Sequence, residues 1–184
     1  MAHLDFRHAL DTDIDLKLWD LAMVETMVHV IQANAQHLRQ WLPWPSPNYG
    51  LADAESFIRR SQKAWALEGI LSVGIWDHDR LVGGVSMNHV DWTNRSTSLG
   101  YWLAESRQGR GIMTRACHIV VDDLIRIRGF NRIVIAVQPD NMKSRAIAER
   151  LRFQQEGRLR QVYRHDGQFI DWVIYAMLAQ DWRV

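Results

Sequence analysis

The first third of the chain changes between strand-like and helix-like patterns of apolar residues. The N-terminal segment alternates in a period of two, which predicts one or two strands; the positions on that period are Leu4, Phe6, His8, Ile14, Leu16 and Leu18. Apolar residues then recur at helical spacing and predict a helix over Leu21–Gln40. Three prolines within residues 41–47 exclude a helix there, because proline has no N–H to donate and forces its predecessor into an extended conformation. A second helix is predicted over Asp53–Glu68, and strands are predicted at about 70–76, 81–90 and 96–104.

The second half of the chain has a clearer pattern. After Gly111 one apolar stripe repeats at intervals of three and four residues, which predicts an amphipathic helix; its members are Met113, Cys117, Val120, Leu124 and Ile127. Gly129 stands where a left-handed helix cap is expected. The β-branched run 133–137 is typical of a strand buried on both faces. Asn141 is predicted to start a helix that ends near Leu151.

The predicted elements indicate one mixed sheet. The chain ends in two long strands joined at Asp166-Gly167, which is a strong signal for an antiparallel hairpin. The strand–helix–strand unit from Ser96 to Val137 requires a parallel pair with a right-handed crossover. We therefore expect a single domain over residues 1–184, of the α+β class, with helices on both faces of a mixed sheet.

Composition excludes several classes of function. The chain has 184 residues and a formal net charge of +1, so charge gives no indication of a nucleic-acid or membrane partner. The single cysteine, Cys117, excludes an internal disulfide, and four histidines (His78, His89, His118 and His165) share no metal-ligand spacing. We expect a cytoplasmic protein without a metal. The nine tryptophans are too many to bury completely in a domain of this size, so some must lie at a surface or groove.

One turn carries the clearest chemistry. Gly109 and Gly111 lie between the strand that ends near Ala104 and the helix that follows. Glycines allow a tight turn and let backbone N–H groups approach an anion, which the N-terminus of the next helix also favours. A pyrophosphate is the natural ligand, although such turns also occur as simple connections. A dinucleotide-binding fold fits less well, because Thr114 replaces the third glycine of that motif.

A second loop adds to this interpretation. After the strand 133–137, Asn141 can cap its helix and still hydrogen-bond an amide-rich ligand, and Ser144 lies one turn into that helix. Both loops would follow the C-terminal ends of neighbouring parallel strands, where ligands of open sheets bind. Coenzyme A has both a diphosphate and an amide-bearing arm.

These residues resemble a known family. The run 100–112 (GYWLAESRQGRGI), the later Asn141-x-x-Ser144 and the Trp44-Pro45 pair are similar to the GCN5-related N-acetyltransferases. Within them they resemble the RimJ/RimL branch, which acetylates the N-termini of proteins, including ribosomal proteins. The resemblance extends over nearly the whole chain. It implies a mostly antiparallel seven-stranded sheet with one splayed parallel pair, and transfer of an acetyl group from acetyl-CoA to a primary amine.

The resemblance also implies site residues. Contacts to acetyl-CoA are expected from Leu103, Gln108, Gly109, Arg110, Gly111, Ile112, Met113 and Asn141. Glu105 occupies the position of the branch's base, which acts through a water; a solvated loop carboxylate is the alternative. The N–H near Leu103 is the candidate donor to the developing oxyanion.

The chain also departs from the family pattern. The superfamily's Gln/Arg three positions before the first turn glycine is Ser106. Ala148 replaces a tyrosine that protonates the leaving thiolate in many members, which moves this role to Ser144; a plain first-turn helix position is the alternative. Arg152 replaces a glycine at the end of the asparagine helix and is expected to adopt a conformation that glycine tolerates better.

The acceptor site is less readable. By resemblance, Trp41 and Trp44 form one wall of the amine site, and a rigid turn with a tryptophan in the core is the alternative. The acceptor is expected to be a protein N-terminus or a small amine such as a polyamine, an aminoglycoside or an amino-acid derivative. A coenzyme A-binding module without turnover and a structural interaction protein are the competing classes. A homodimer is also expected from the family and the apolar-rich final strands.

Overall fold

The computed structural model of the chain describes residues 7–9 and 14–183. Two compact units are distinguished in it. Among the described residues, the first comprises those up to Gln40 together with Trp44–Ser86 and Tyr101–Ile112, and the second comprises Trp41–Pro43, Met87–Gly100 and those from Met113 onward. The single domain stays a prediction. Leu4 and Phe6 of the first predicted alternation lie outside the described residues.

The strands confirm a mixed sheet. Their bounds are β1 Arg7–Ala9, β2 Ile14–Leu18, β3 Ser72–Asp77, β4 Arg80–Asp91, β5 Ser96–Leu103, β6 Arg132–Val137, β7 Gln154–His165 and β8 Gln168–Leu178. They pair in the order β1-β2-β3-β4-β5-β6-β8-β7. The β5–β6 pair is parallel, with Ser96 opposite Arg132 and Ser98 opposite Val134, whereas β1–β2, β2–β3, β3–β4, β6–β8 and β7–β8 are antiparallel. The described sheet has eight strands instead of seven, because the short β1 adds an edge strand.

The first predicted helix is divided in the structure. A short 3₁₀ turn at Leu21–Met23 leads into α1, Val24–Ala33, and α2 follows at Ala35–Arg39. Between the two helices Asn34 has φ −114° and ψ 11°. Its side-chain Nδ2 donates to the carbonyl of Val30 at 2.8 Å. A prediction of one continuous helix is therefore wrong at this residue, because an asparagine side chain competes for backbone hydrogen bonds.

Helix α3 spans Leu51–Glu68 and starts earlier than predicted. The N-cap is Gly50, whose N–H donates to Oδ2 of Asp53 at 2.9 Å. Asp53 is thus the third helical residue, and its carboxylate reaches back to satisfy an N–H that the helix itself leaves unpaired. The helix ends at Gly69, which has the left-handed φ of 68°.

The first unit has its own buried core. This cluster contains Trp19, Met27, Ile31, Tyr49, Ala54, Ile58 and Leu81. The indole Nε1 of Trp19 donates to Ser72 Oγ at 2.9 Å, so its polar atom is satisfied inside the core. Gly74 on β3 makes room for this ring, since a Cβ there would lie 3.0 Å from Trp19 Cζ3.

The long helix of the second unit confirms most of the predicted apolar stripe. Helix α4 is Ile112–Asp122, and it continues as a π-helical turn at Asp123–Ile127. Cys117, Val120 and Leu124 are buried, but Ile127 is 73% exposed. The prediction that Ile127 belongs to the buried stripe is therefore wrong. The wider i→i+5 turn rotates Ile127 away from the face that an α-helix would give it. Gly129 has the predicted left-handed φ, 70°.

The remaining elements follow the predictions closely. On β6 the residues Ile133, Ile135 and Val137 are buried, and the intervening ones are half-buried instead of fully buried on a second face. Helix α5, Met142–Arg150, begins after Asn141 as predicted. Arg152 has a φ of 61°, which confirms the expected conformation that glycine tolerates better. The β7–β8 turn has positive φ at both Asp166 and Gly167, as a two-residue type I′ hairpin requires.

Candidate active site

The glycine turn has the geometry that the sequence predicts. Gly109 has φ 76° and Gly111 has φ 71°, both in the left-handed region. A Cβ at Gly109 would meet no atom within 4 Å, so the turn is open at this point and the glycine is required by backbone conformation alone. Helix α4 begins directly after Gly111, and its first N–H groups have no partner within the helix. The turn thus offers backbone donors where an anion can approach.

A 3₁₀ turn at Glu105–Arg107 precedes the glycines. The carboxylate side chain of Glu105 is exposed, whereas its backbone N–H donates to Oδ1 of Asn34 at 2.9 Å. Since the first N–H groups of a helical turn have no partner inside it, Asn34 supplies an acceptor that the local sequence does not. The exposed carboxylate of Glu105 is free to meet a water or an amine.

Asp77 anchors the same turn from the end of β3. Its carboxylate is 11% exposed and lies 3.1 Å from Nη1 of Arg107. His78 Nδ1 is 2.9 Å from the other carboxylate oxygen. The hydrogen bond with His78 and the positive charge of Arg107 hold the pKa of Asp77 below its ordinary value. A charged Asp77 therefore fixes the position of Arg107.

Gln108 is held by the helix that follows Asn34. Its side-chain Nε2 lies 2.7 Å from Nε2 of His37 on α2. Gln108 itself is extended, with φ −70° and ψ 163°, and leads directly into Gly109. The first unit thus holds the segment before the glycines by long-range contacts at Glu105, Arg107 and Gln108.

The end of β5 directs a backbone donor away from β4. Gly83 lets the two strands approach closely, because a Cβ there would lie 2.5 Å from the carbonyl oxygen of Trp102. The N–H of Ala104 donates to Val82 on β4 at 2.7 Å. Consecutive N–H groups of an extended chain point to opposite edges, so the N–H of Leu103 is directed away from β4.

In the second unit, Asn141 caps α5. Its Oδ1 accepts a hydrogen bond from the N–H of Ser144 at 3.1 Å, which confirms the predicted cap. Arg145 holds the loop before it, since Nη1 donates to the carbonyl of Pro139 and Nε donates to the buried hydroxyl of Tyr175. Ala148 is completely buried. Since alanine has no hydroxyl, this position cannot protonate a leaving thiolate.

The tryptophan segment, residues 41–47, is non-helical, as predicted. Its two tryptophans belong to different units. Trp44, in the first unit, is 39% exposed, and its ring lies 6.2 Å from that of Trp102 and 5.8 Å from that of Tyr49. This is a partly open aromatic surface and not a core plug. Trp41, in the second unit, accepts a hydrogen bond at its carbonyl from Gln138.

The predicted site residues are divided between the two units. The first unit contains Trp44, Leu103, Glu105, Gln108, Gly109, Arg110, Gly111 and Ile112, and the second contains Trp41, Met113, Asn141 and Ser144. Sequence reasoning missed Asn34, His37, Asp77 and Arg107. A weak signal existed for one of them, because Asn34 is a poor helix former within a predicted helix.

Residues 7–9 and 14–183, the part of the chain that the structure describes, contain neither a candidate metal-binding group nor a candidate membrane-spanning helix. No three His, Cys, Asp or Glu side chains in that part of the chain form a group that could hold a metal ion. None of its helices combines the length and apolar character needed to span a membrane. His118 packs against Trp182, with ring centres 5.0 Å apart.

Comparison with known proteins adds independent information on sequence. The model of the acetyltransferase (GNAT) domain family matches residues 14–154. The putative ribosomal N-acetyltransferase YdaF of Bacillus subtilis (strain 168) is 30% identical over 179 residues, which are 96% of this chain and 97% of that protein. The ribosomal-protein-serine acetyltransferase of Escherichia coli (strain K12) is 28% identical over 155 residues, 84% of this chain and 87% of that protein.

Solved structures show the same fold. The ribosomal L7/L12 alpha-N-protein acetyltransferase RimL, in complex with coenzyme A, superposes with a TM-score of 0.90 at 25% identity, over 95% of this chain and 99% of that one. The microcin C7 self-immunity acetyltransferase MccE, in complex with acetyl-CoA and AMP, gives a TM-score of 0.86 at 30% identity, over 92% and 94% of the two chains. With the family model matching residues 14–154 and a relative aligned over almost its full length, this chain belongs to the GNAT acetyltransferase family.

Proposed function

We propose that this protein transfers the acetyl group of acetyl-CoA directly to the N-terminal amine of a ribosomal protein. The observation that carries the proposal is the turn at Gly109 and Gly111, whose left-handed glycines open onto the start of α4. Such a turn presents backbone donors to a diphosphate. Relatives named for ribosomal-protein-serine and ribosomal-protein-alanine acetylation support the acceptor.

The cofactor site follows from the same turn. The N–H groups from Gly109 to Met113 bind the diphosphate of acetyl-CoA, and the side chains of Gln108 and Arg110 flank it. By resemblance, Asn141 is assigned to the amide-bearing arm. Its Oδ1 is used by the cap, and its Nδ2 can donate to a pantetheine carbonyl. RimL, a structural neighbour, is in complex with coenzyme A, which supports the choice of cofactor.

The reaction needs a base, an oxyanion donor and a proton for the leaving group. The Glu105 carboxylate takes a proton from the amine through a water, and the amine nitrogen attacks the thioester carbonyl carbon. The N–H of Leu103, which is directed away from β4, stabilises the oxyanion that forms. The tetrahedral intermediate then collapses: the C–S bond breaks and its electron pair leaves with sulfur. The Ser144 hydroxyl donates a hydrogen bond to the thiolate, which takes up the second proton that the nitrogen loses as the amide forms. The products are an acetylated amine and the free thiol of coenzyme A.

The acceptor site is assigned to the tryptophan segment. Trp44 and Trp102 offer aromatic surface in the same unit as Glu105, and Trp44 is partly exposed. Aromatic rings bury the apolar part of an extended peptide without requiring a particular charge. Trp41 is assigned to the same wall by resemblance. The proposal also includes a cytoplasmic location, because ribosomal proteins are made in the cytoplasm. It further includes a homodimer.

A small amine is the second candidate acceptor. It is favoured by the similarity to MccE, a self-immunity acetyltransferase whose structure contains acetyl-CoA and AMP. A polyamine, an aminoglycoside or an amino-acid derivative would use the same cofactor turn and the same base. The difference would lie only in what contacts Trp44.

A free-thiol release assay against a panel of amines tests the proposal. We expect turnover with short peptides that begin with the N-terminal Ser or Ala of ribosomal proteins, and none with the same peptides blocked at the N-terminus. Polyamines, aminoglycosides and amino-acid derivatives complete the panel. Faster turnover with one of these would establish the second candidate, and no thiol release with any amine, together with a clear acetyl-CoA-induced rise in melting temperature, would show a binding module without turnover.

A further inference from the structure

The junction between α1 and α2 contacts the turn of Glu105 at two points. Asn34 Oδ1 accepts from the Glu105 N–H at 2.9 Å, and His37 Nε2 lies 2.7 Å from Gln108 Nε2. The two partners on each side are three residues apart in sequence. Since residues three apart lie on the same side of a helical segment, one side of the junction faces both Glu105 and Gln108.

The Asn34 amide is held at both of its ends. Its Nδ2 donates to the Val30 carbonyl at 2.8 Å, in the last turn of α1, while Oδ1 receives the Glu105 N–H. The planar amide therefore cannot rotate without losing one of these hydrogen bonds. Asn34 thus fixes the Glu105 backbone relative to helix α1. That helix packs into the core of the first unit through Met27 and Ile31.

A fixed backbone matters for an exposed base. The Glu105 side chain is exposed and gains little fixation from burial, so the direction of its Cα–Cβ bond decides where the carboxylate can reach. A displacement of about 1 Å in a catalytic group can cost on the order of a hundredfold in rate. The N–H contact with Asn34 fixes that direction from a residue outside the glycine turn.

We propose that Asn34 is a positioning residue for Glu105, with His37 as a second point of support through Gln108. The proposal rests on the proposed function, in which Glu105 is the base. Asn34 touches neither substrate in this scheme and acts only through the turn.

A double-mutant cycle tests this coupling. Asn34→Ala is expected to lower kcat about tenfold, the upper range for one hydrogen bond, and to change the KM for acetyl-CoA less than about twofold. In the Glu105→Gln background the same Asn34→Ala change is expected to have almost no further effect on kcat, because the group that it positions is already lost. Gln36→Ala, an exposed change on α2, is the matched control and should leave kcat unchanged.

A second variant separates the two hydrogen bonds of Asn34. Asn34→Asp keeps an oxygen acceptor for the Glu105 N–H but cannot donate to Val30. Measured at a pH on the plateau of the rate profile, it should retain kcat within about threefold of the wild type, as one retained hydrogen bond implies. If Asn34→Asp and Asn34→Ala are equally slow, the acceptor that residue 34 offers to the Glu105 N–H does not carry the effect, and the proposal is wrong.

The failures are distinguishable. If Glu105→Gln turns over as fast as the wild type, Glu105 is not the base, and both the catalytic assignment and this inference are overturned. If Glu105→Gln is slow but Asn34→Ala costs the same factor in both backgrounds, only the positioning role is overturned. Circular dichroism and the melting temperature of each variant establish that it is folded before kcat is compared.

Discussion

The two segments assigned to acetyl-CoA are held in different ways. The turn at Glu105–Gln108 is supported by Asn34, Asp77 and His37, which are distant in sequence. The start of α5 is supported mainly by its own residues, with Asn141 accepting from Ser144 three positions later. A helix start that is capped by its own residues depends mainly on local sequence, whereas the turn depends on contacts that only folding of the first unit creates. Substitutions in the two segments should therefore fail differently.

The largest effect is expected at the glycine turn itself. Gly109→Val places a β-branched residue at a φ of 76° and adds a Cβ on the open side of the turn. Strain and obstruction together should weaken acetyl-CoA binding by about a hundredfold or more, corresponding to roughly 3 kcal/mol. Isothermal titration with acetyl-CoA measures this, and Gly157→Val, at a glycine with an ordinary φ and open surroundings, is the control. Unchanged affinity of Gly109→Val would contradict the assignment of the diphosphate to this turn.

An intermediate effect on acetyl-CoA binding is expected at Asn141, the cap of helix α5. Two variants separate its role as a cap from its role as a donor to the cofactor. Asn141→Asp keeps the capping oxygen but loses the amide donor, so the melting temperature should stay close to the wild type while the KM for acetyl-CoA rises about tenfold. Asn141→Ala should show the same rise in KM and in addition lose about 1 kcal/mol of stability with the cap. Thermal unfolding and steady-state kinetics on both variants give the two readouts. If Asn141→Asp has a wild-type KM, Asn141 is a cap and nothing more.

A smaller effect is expected at a remote anchor of the turn. Because the pKa of Asp77 is lowered in the folded state by His78 and Arg107, its charged form stabilises the protein above the unfolded pKa, near 4. That contribution is lost as the pH falls through the folded pKa. Asp77→Asn should therefore reduce the free energy of unfolding by about 1–2 kcal/mol at neutral pH.

The pH dependence makes this prediction specific. The difference in stability between Asp77→Asn and the wild type should shrink below pH 4, because the unfolded wild-type chain takes up a proton on Asp77 there, whereas the folded protein does so only at its lower pKa. Urea unfolding at pH 7 and pH 3.5 measures both differences. Asp79→Asn, an exposed change in the same β3–β4 turn, is the control. An equal loss of stability at both pH values would show that the charge of Asp77 is not what anchors Arg107.

Much of the fold could be predicted because its signals are local. The hairpin at Asp166-Gly167, the cap at Asn141 and the left-handed Gly129 all depend on residues close together in sequence, and the structure confirms them. The parallel pair of Ser96–Leu103 with Arg132–Val137 joins distant residues, but the order strand, helix, strand along the chain was enough to predict it. The break at Asn34 and the π-helical turn that exposes Ile127 were not predicted. At both places the spacing of apolar residues fits a continuous α-helix as well as it fits the interrupted helix that the structure shows.

Of the candidate site, the sequence by itself determined the glycine turn, its flanking strand and helix, and the family. Only the tertiary structure decided what holds that turn, because Asn34, His37 and Asp77 reach it across long stretches of chain. Backbone conformation follows from residue type at single positions, since glycine alone adopts positive φ without strain. A hydrogen bond between distant residues depends on how the core brings their helices and strands together, and no local pattern encodes that distance.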